Sequence, residues 1–295
     1  MVTDRCDGHC LYCRRAGPSG EDLDSATWLD LLDQAAAAGC FRVSFTGGEP
    51  LLRPDLPRLV RHARKLGMKV NLNTHGGLLP ARIEELDDLS SVTISLDGPA
   101  PVMDALRGPG SHARAVRGIR AARRVGLPVT LHATIARANV EQVDAIVGEA
   151  RRMGLRINMA PVTPTPLGDR GDQHYPEPEV FQGAIQRVLE QKRRGERALL
   201  SSTPCLEHLA SWPTPQRLPC AAGRIYTRIE PDGTLHSCGD LLLQHAGVSA
   251  LEHGFEAAFR RLPAAGCDRC WCDTRVEMNL VYGLNPSALL AARDR

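Results

Sequence analysis

The stretch Met68-Lys-Val-Asn-Leu-Asn-Thr-His-Gly-Gly-Leu-Leu-Pro-Ala-Arg-Ile-Glu-Glu-Leu-Asp-Asp-Leu-Ser-Ser-Val-Thr-Ile-Ser-Leu96 contains one complete strand–helix–strand unit. Met68 to Asn73 reads as a strand and Thr74-His75-Gly76-Gly77 as the loop behind it; Pro80 to Asp87 is the helix and Ser91 to Leu96 the returning strand. Such a connection joins parallel strands with a right-handed crossover. Outward in both directions the same beat recurs. Upstream lie a helix with apolar face Trp28, Leu29, Leu31, Leu32, Ala35 and Ala36, capped by Asp24 or Ser25 and stopped by Gly39, a strand over Cys40 to Thr46, and a helix near Pro54 to Leu66. Downstream come helix Ser111 to Val125, strand Val129 to Ile135, helix Val140 to Met153 and strand Leu155 to Met159. With a very short first strand at Met1 to Thr3, six units are expected, fewer than a closed eight-fold barrel requires.

The totals exclude several classes. The 295 residues can bury a full core, and 36 Lys plus Arg against 34 Asp plus Glu create no field for nucleic acid or an anionic membrane. No signal peptide and no apolar run of about 18 residues is present, so neither secretion nor a membrane span is expected. The cytoplasm is the expected compartment, where ten cysteines in a chain of this length suggest metal ligands or reactive thiols before disulfides.

In barrels of this kind the working groups sit on loops behind the strands' C-terminal ends. Four such loops stand out: Cys6, Cys10 and Cys13 behind strand one, Gly47-Gly48-Glu49-Pro50 behind strand two, Thr74 to Gly77 behind strand three, and Ser95 to Pro99 at the end of strand four. Three thiolates on one short loop can hold three corners of an iron–sulfur cube and leave one iron open. A zinc knuckle with His9 as fourth ligand is the rival reading. Pro161 to Pro178 reads as a long functional loop, and helix Glu179 to Arg194 closes the region.

Cys6, Cys10 and Cys13, with Tyr12 before the third cysteine and Gly47-Gly48-Glu49-Pro50 after the next strand, resemble the radical S-adenosylmethionine superfamily; Ser95-Leu-Asp-Gly-Pro99 and Arg107-Gly108 also look like members of it. The resemblance covers about Met1 to Met159 and implies an α/β fold, a partial (β/α)6 TIM-like barrel. It further implies a [4Fe–4S] cluster whose open iron chelates the amino and carboxylate groups of S-adenosylmethionine, which one electron cleaves to a 5′-deoxyadenosyl radical. On this reading Gly47, Gly48 and Pro50 shape the approach to the cofactor, Glu49 accepts its ammonium, Tyr12 lies beside the adenine, and Thr74, Ser95 and Asp97 lie near the ribose or sulfonium. An external one-electron reductant of flavodoxin or ferredoxin type is implied as well.

Residues 1–195 are expected to form the barrel and 196–295 a small cysteine-rich region. There Arg224 to Glu230, the turn Pro231-Asp232-Gly233 and Thr234 to Ser237 form a β-hairpin, a weak helix spans Phe255 to Leu262, and Asn285-Pro286 opens a last helix. Cys220, twelve residues, Gly233, four residues and Cys238, then Cys267, Cys270 and Cys272, look like the auxiliary-cluster region of the twitch and SPASM branches. A full SPASM region has cysteines for two clusters; this one favours a single auxiliary [4Fe–4S] cluster on Cys220, Cys238, Cys267 and Cys270. Cys272 is then spare or replaces one of that pair. A structural zinc ribbon is the alternative. Cys40 reads as a core residue. Cys205, in a loop beside Pro204, or Cys272 is a candidate hydrogen-atom donor to a substrate radical.

Chain economy favours a small polar natural-product substrate such as an aminocyclitol, aminoglycoside or nucleoside sugar, oxidised or epimerised, because the chain begins at the cluster loop without a peptide-recognition segment. The alternative is a maturase acting on a ribosomally made peptide or protein, and a remote third is a zinc-stabilised binding protein without radical chemistry.

Overall fold

The computed structural model describes residues 1–13, 22–162, 172–239, 246–264 and 270–293. In chain order the elements are α1 (Ser25–Ala37), β1 (Arg42–Phe45), α2 (Leu56–Lys65), β2 (Lys69–Thr74), α3 (Leu79–Arg82), β3 (Ser91–Ser95), α4 (Ala100–Arg107), α5 (Ser111–Arg124), β4 (Val129–Ile135), α6 (Val143–Arg152), β5 (Arg156–Pro161), α7 (Pro178–Arg193), α8 (Thr203–Leu209), β6 (Arg228–Ile229), β7 (Thr234–His236), β8 (Val248–Ser249), α9 (Ala250–His253), α10 (Phe255–Arg260), α11 (Asp273–Tyr282) and α12 (Pro286–Arg293). The chain has an α/β fold with parallel strands β1 to β5, and divides into two compact units. The first comprises residues 1–95, 113–129 and 222–264, the second residues 96–112, 130–221 and 265–295.

In the first unit β1, β2 and β3 pair in parallel, with Ser44 opposite Asn71 and Asn71 opposite Ser91. The strands alternate as a half-buried sheet requires: Val70, Leu72, Val92 and Ile94 are fully buried. The opposite face carries small polar groups, where Asn71 Nδ2 donates to Ser44 Oγ (3.0 Å) and Ser91 Oγ donates to Asn71 Oδ1 (2.8 Å). Helix α1 is capped by the Asp24 carboxylate, which accepts from Thr27 N at 2.8 Å, and buries Trp28, Leu31, Leu32 and Ala35. Burying those four side chains contributes several kcal/mol of apolar transfer energy, about 1.5–3 for each large one. The antiparallel strands β6, β7 and β8 follow, with Gly233 at φ +85° in the turn between β6 and β7.

The expected strand at Met1 to Thr3 is an extended segment outside the regular ladder. Val2 N donates to Thr46 O (2.9 Å), and Met1 N to Ile229 O. Past Thr46 the segment pairs with the glycine loop behind β1, so two regular strands never face each other over their length.

In the second unit β4 and β5 pair in parallel with His132 opposite Asn158, and Leu131, Ala133, Ile135 and Ile157 are fully buried. Helices α6 and α7, α7 and α8, α8 and α11, and α11 and α12 pack against one another in turn. One of these elements corrects the sequence reading: Cys205 lies in helix α8, whose N-cap Ser202 accepts from Cys205 N at 3.3 Å. Helix α4 fills a stretch to which the sequence reading assigned no element. Among the described residues no helix is long and apolar enough to cross a membrane.

Candidate active site

The cysteine loop and the glycine loop are built as one piece within the first unit. Gly48 N donates to Thr3 O (2.8 Å) and Glu49 N to Arg5 O (2.8 Å), so the residues leading into Cys6 run directly against Gly47 to Glu49. Glycine is required there. A Cβ on Gly47 would lie 2.4 Å from Thr3 O, and one on Gly48 2.3 Å from Arg5 O, both backbone atoms. The loop is then turned back by Cys13 N donating to Cys10 O (3.0 Å). Gly8 sits between two of the thiols: a Cβ at that position would be 3.4 Å from Cys6 Sγ and 3.9 Å from Cys10 Sγ. Cys6 and Cys10 are half-buried and Cys13 is exposed. Burial pushes the Cys6 thiol up, opposed by the Gly8 amide, which donates to its sulfur at 3.3 Å.

These features fit an iron–sulfur cube: three soft ligands on one loop, a backbone cradle that a side chain would fill, and access from one side. Among the described residues no three His, Cys, Asp or Glu side chains are grouped about a single metal-ion position. Tyr12 is half-buried between the second and third cysteines.

Glu49 is fully buried and closely held. Oε1 accepts from Leu51 N (3.0 Å), Oε2 from His75 N (3.0 Å), and the Thr74 hydroxyl lies 2.8 and 2.9 Å from the two oxygens. Burial pushes its carboxyl up, countered first by His75. These donors leave room on a carboxylate's roughly four lone-pair sites for one more. Pro50 opens a turn of 3-10 helix over Pro50–Leu52, where its missing N–H costs nothing.

Two features around this carboxylate were not read from the sequence. His75 Nδ1 accepts from Gly77 N (3.0 Å), so its proton sits on Nε2, which lies 2.8 Å from Asp7 Oδ1 and 3.1 Å from Glu49 Oε2. His75 therefore ties the cysteine loop to Glu49. Arg82 secures the far side of the glycine loop, donating to Leu51 O (2.6 Å), Arg53 O (2.7 Å) and Pro54 O (3.1 Å). Gly76, at φ +84°, makes the turn that brings His75 round, and Gly118 of α5 lets that helix approach: a Cβ there would be 2.3 Å from Gly76 O.

Ser95 ends β3, half-buried, in the first unit. In the second unit the buried Asp97 is engaged by its own neighbours: Arg107 Nε donates to Oδ2 (2.5 Å) and Thr134 N to Oδ1 (2.9 Å). Asn139 Nδ2 donates to the Asp97 carbonyl at 2.8 Å.

The C-terminal cysteines divide between the units. Cys238 is buried behind β7 in the first, whereas Cys220, Cys270 and Cys272 belong to the second, and Cys267 lies outside the described residues. Asn279 of α11 reaches one of them and the residue after another: its Nδ2 lies 3.9 Å from Cys270 Sγ and its Oδ1 accepts from Ala221 N (2.9 Å). His208, whose basicity burial lowers, contacts Cys270 O through Nε2 at 2.8 Å. Cys205 is fully buried and its thiol donates to Asp273 O (3.7 Å), a packed position for a residue read as a loop hydrogen donor. Among the described residues no cysteine is in a disulfide.

The chain is 37% identical over 171 residues to a "PqqA peptide cyclase" of Streptomyces rochei, covering 54% of this chain and 46% of that protein. It spans about half the length of the curated relatives it matches. Among solved structures it superposes on anSMEcpe with bound AdoMet (TM-score 0.72, 15% identity, 88% of this chain and 78% of that one) and on Streptococcus suis SuiB bound to precursor peptide SuiA (TM-score 0.69, 18% identity, 88% and 63%). At those identities the likeness shows the shared fold, the partial barrel expected from the alternating strands and helices. None of these names bears out the expected aminocyclitol, aminoglycoside or nucleoside-sugar substrate. The model of the Radical SAM superfamily matches residues 1–150, the span that carries both the thiol loop and the buried glutamate, and the chain belongs to that superfamily.

Proposed function

We propose that this radical SAM enzyme modifies a ribosomally made peptide or protein, using the site built on Cys6, Cys10, Cys13 and Glu49. The reading corrects the expectation of a small polar natural product undergoing oxidation or epimerisation. Relatives 35–39% identical over half the chain or more are named as peptide cyclases, and that similarity carries the substrate class. A hydrogen-donor role for Cys205 or Cys272 belongs with epimerisation, and the peptide reading does not call on it.

When bound, a [4Fe–4S] cluster and S-adenosylmethionine supply a radical able to take hydrogen from carbon. The chain's own contribution is position. The thiols of Cys6, Cys10 and Cys13 hold the cluster on the loop that Gly47 and Gly48 admit. Glu49, oriented by Thr74, Leu51 N and His75 N, accepts from the ammonium of S-adenosylmethionine, with Tyr12, Pro50 and Ser95 around the rest of the cofactor. Asp97 acts through Arg107 and Thr134, fixing the loop behind Ser95. In the second unit Cys220, Cys270 and Cys272 are the described thiols that would support a further cluster. A one-electron reductant of flavodoxin or ferredoxin type is the remaining partner.

The test uses a candidate precursor peptide encoded beside this chain's gene, uniformly deuterated. We expect a mass change in the peptide that requires S-adenosylmethionine, with deuterium recovered in 5′-deoxyadenosine. Deuterium transfer from labelled small polar metabolites and none from the peptide contradicts the reading.

A further inference from the structure

Two carboxylates of the first unit compete for one ring nitrogen of His75. Nε2 lies 2.8 Å from Oδ1 of Asp7, on the thiol loop, and 3.1 Å from Glu49 Oε2, so both oxygens are within hydrogen-bond reach of it. Only one proton is there to share. Gly77 N donates to Nδ1 (3.0 Å), which leaves the single N–H of a neutral ring on Nε2. At these distances that proton goes to Asp7.

The loop is shaped to keep the ring in this place. Gly76 turns at φ +84°, and a Cβ on Gly77 would lie 3.0 Å from His75 Cε1 and 3.1 Å from Nδ1. On the other side of the ring Glu49 is nearly saturated. Leu51 N, His75 N and the Thr74 hydroxyl donate to it, which leaves about one of a carboxylate's roughly four acceptor positions open. The partners differ in freedom: the Glu49 side chain is 0% exposed and the Asp7 side chain 46%, so Asp7 is the one that can leave. Once it leaves, the Nε2 proton has Glu49 Oε2 within reach and takes the open position.

We propose that Asp7 and His75 form a two-position switch on Glu49. With the thiol loop seated, Asp7 draws the His75 proton away and Glu49 keeps its last acceptor for the ammonium of S-adenosylmethionine. With the loop displaced, the proton occupies that acceptor. Asp7 and His75 are thus positioning residues that make the cofactor's affinity depend on the loop that holds the cluster, a reciprocal coupling of two sites. The switch deepens, and rests on, the role given above to Glu49.

The test measures equilibrium dialysis of radiolabelled S-adenosylmethionine against the full chain, anaerobically reconstituted with iron and sulfide, without reductant so that none is cleaved. Asp7→Ala alters a half-exposed side chain and should raise Kd at least about tenfold, the loss of one charge-assisted hydrogen bond. Asp7→Asn keeps an oxygen for the Nε2 proton and should stay within about threefold of wild type. In a His75→Phe background, where no proton competes, Asp7→Ala should change Kd less than about twofold, the non-additivity expected of residues acting through one contact. An equal loss in both backgrounds overturns the switch. Where His75→Phe fails to fold, the Asp7 pair decides, and Asp7→Asn as weak as Asp7→Ala overturns it. An unchanged Kd with fewer sites in Asp7→Ala also overturns it, because Asp7 then serves only to seat the cluster. Glu49→Gln separates the two readings: weakened binding there with wild-type Kd in Asp7→Ala overturns the switch and leaves Glu49 its role, whereas an unchanged Kd in Glu49→Gln overturns both.

Discussion

Replacing Gly48 with alanine tests whether the thiol loop and the glycine loop are one structural unit. The new Cβ would lie 2.3 Å from Arg5 O and 2.6 Å from Asp4 O. Both contacts are backbone, so no rotamer change relieves them, and the two segments must separate. Separation removes Gly48 N to Thr3 O and Glu49 N to Arg5 O, each 2.8 Å. Two lost hydrogen bonds cost about 1 kcal/mol each, and residual overpacking about 1–3 more, giving roughly 3–5 kcal/mol. For a chain of this size that is a drop of about 5–8 °C in melting temperature. Thermal unfolding followed by circular dichroism reads the stability, and iron content after anaerobic reconstitution reads the loop. We expect a loss on both readouts, because the residues leading into Cys6 are displaced. A Gly48→Ala protein within about 1 kcal/mol of wild type, with full iron content, refutes the coupling of the two loops.

Glu49→Gln keeps the shape but removes the charge offered to an ammonium, and should weaken equilibrium binding of S-adenosylmethionine about 10- to 100-fold; unchanged affinity contradicts Glu49's assigned role. Arg82→Ala removes three bonds to the carbonyls of Leu51, Arg53 and Pro54 from a side chain only 16% exposed, and should cost about 2–4 kcal/mol in denaturant unfolding, whereas a loss under about 0.5 would show that the clamp is idle. For Asp55, burial pushes the carboxyl up, but Arg53 and Ser25 outweigh it and hold it below its ordinary 3.8. A depressed native pKa gives stability that is complete above the unfolded value and lost as pH falls through the native one. Asp55→Asn should therefore flatten the stability profile below about pH 4 and leave it parallel to wild type near neutrality.

The strand–helix alternation was legible because buried parallel strands such as Val129–Ile135 and helices such as Ser111–Arg124 carry their period openly. What escaped follows one physical pattern. Helices α4 and α8 each have a proline in the first turn, Pro101 and Pro204; the first segment was assigned no element and the second reads as a loop, although proline costs nothing where the backbone N–H has no helical partner anyway. Helix α11 follows a run of cysteines whose metal reading masked the apolar spacing of Val276 and its neighbours. The site was half legible. Cysteine spacing and Gly-Gly-Glu-Pro name the ligands and the acceptor by composition. The groups that hold them, Arg82, Asp7 and the Nε2 proton of His75, are contacts between distant positions, and no local pattern encodes those.

The most direct test of the central claim is the yield of 5′-deoxyadenosine from S-adenosylmethionine and a strong reductant, comparing anaerobically reconstituted wild-type chain with Cys10→Ala. The wild-type protein should form it and the variant none, while iron bound elsewhere in the variant persists. Undiminished 5′-deoxyadenosine from Cys10→Ala would contradict the assignment of Cys6, Cys10 and Cys13 as the seat of the chemistry.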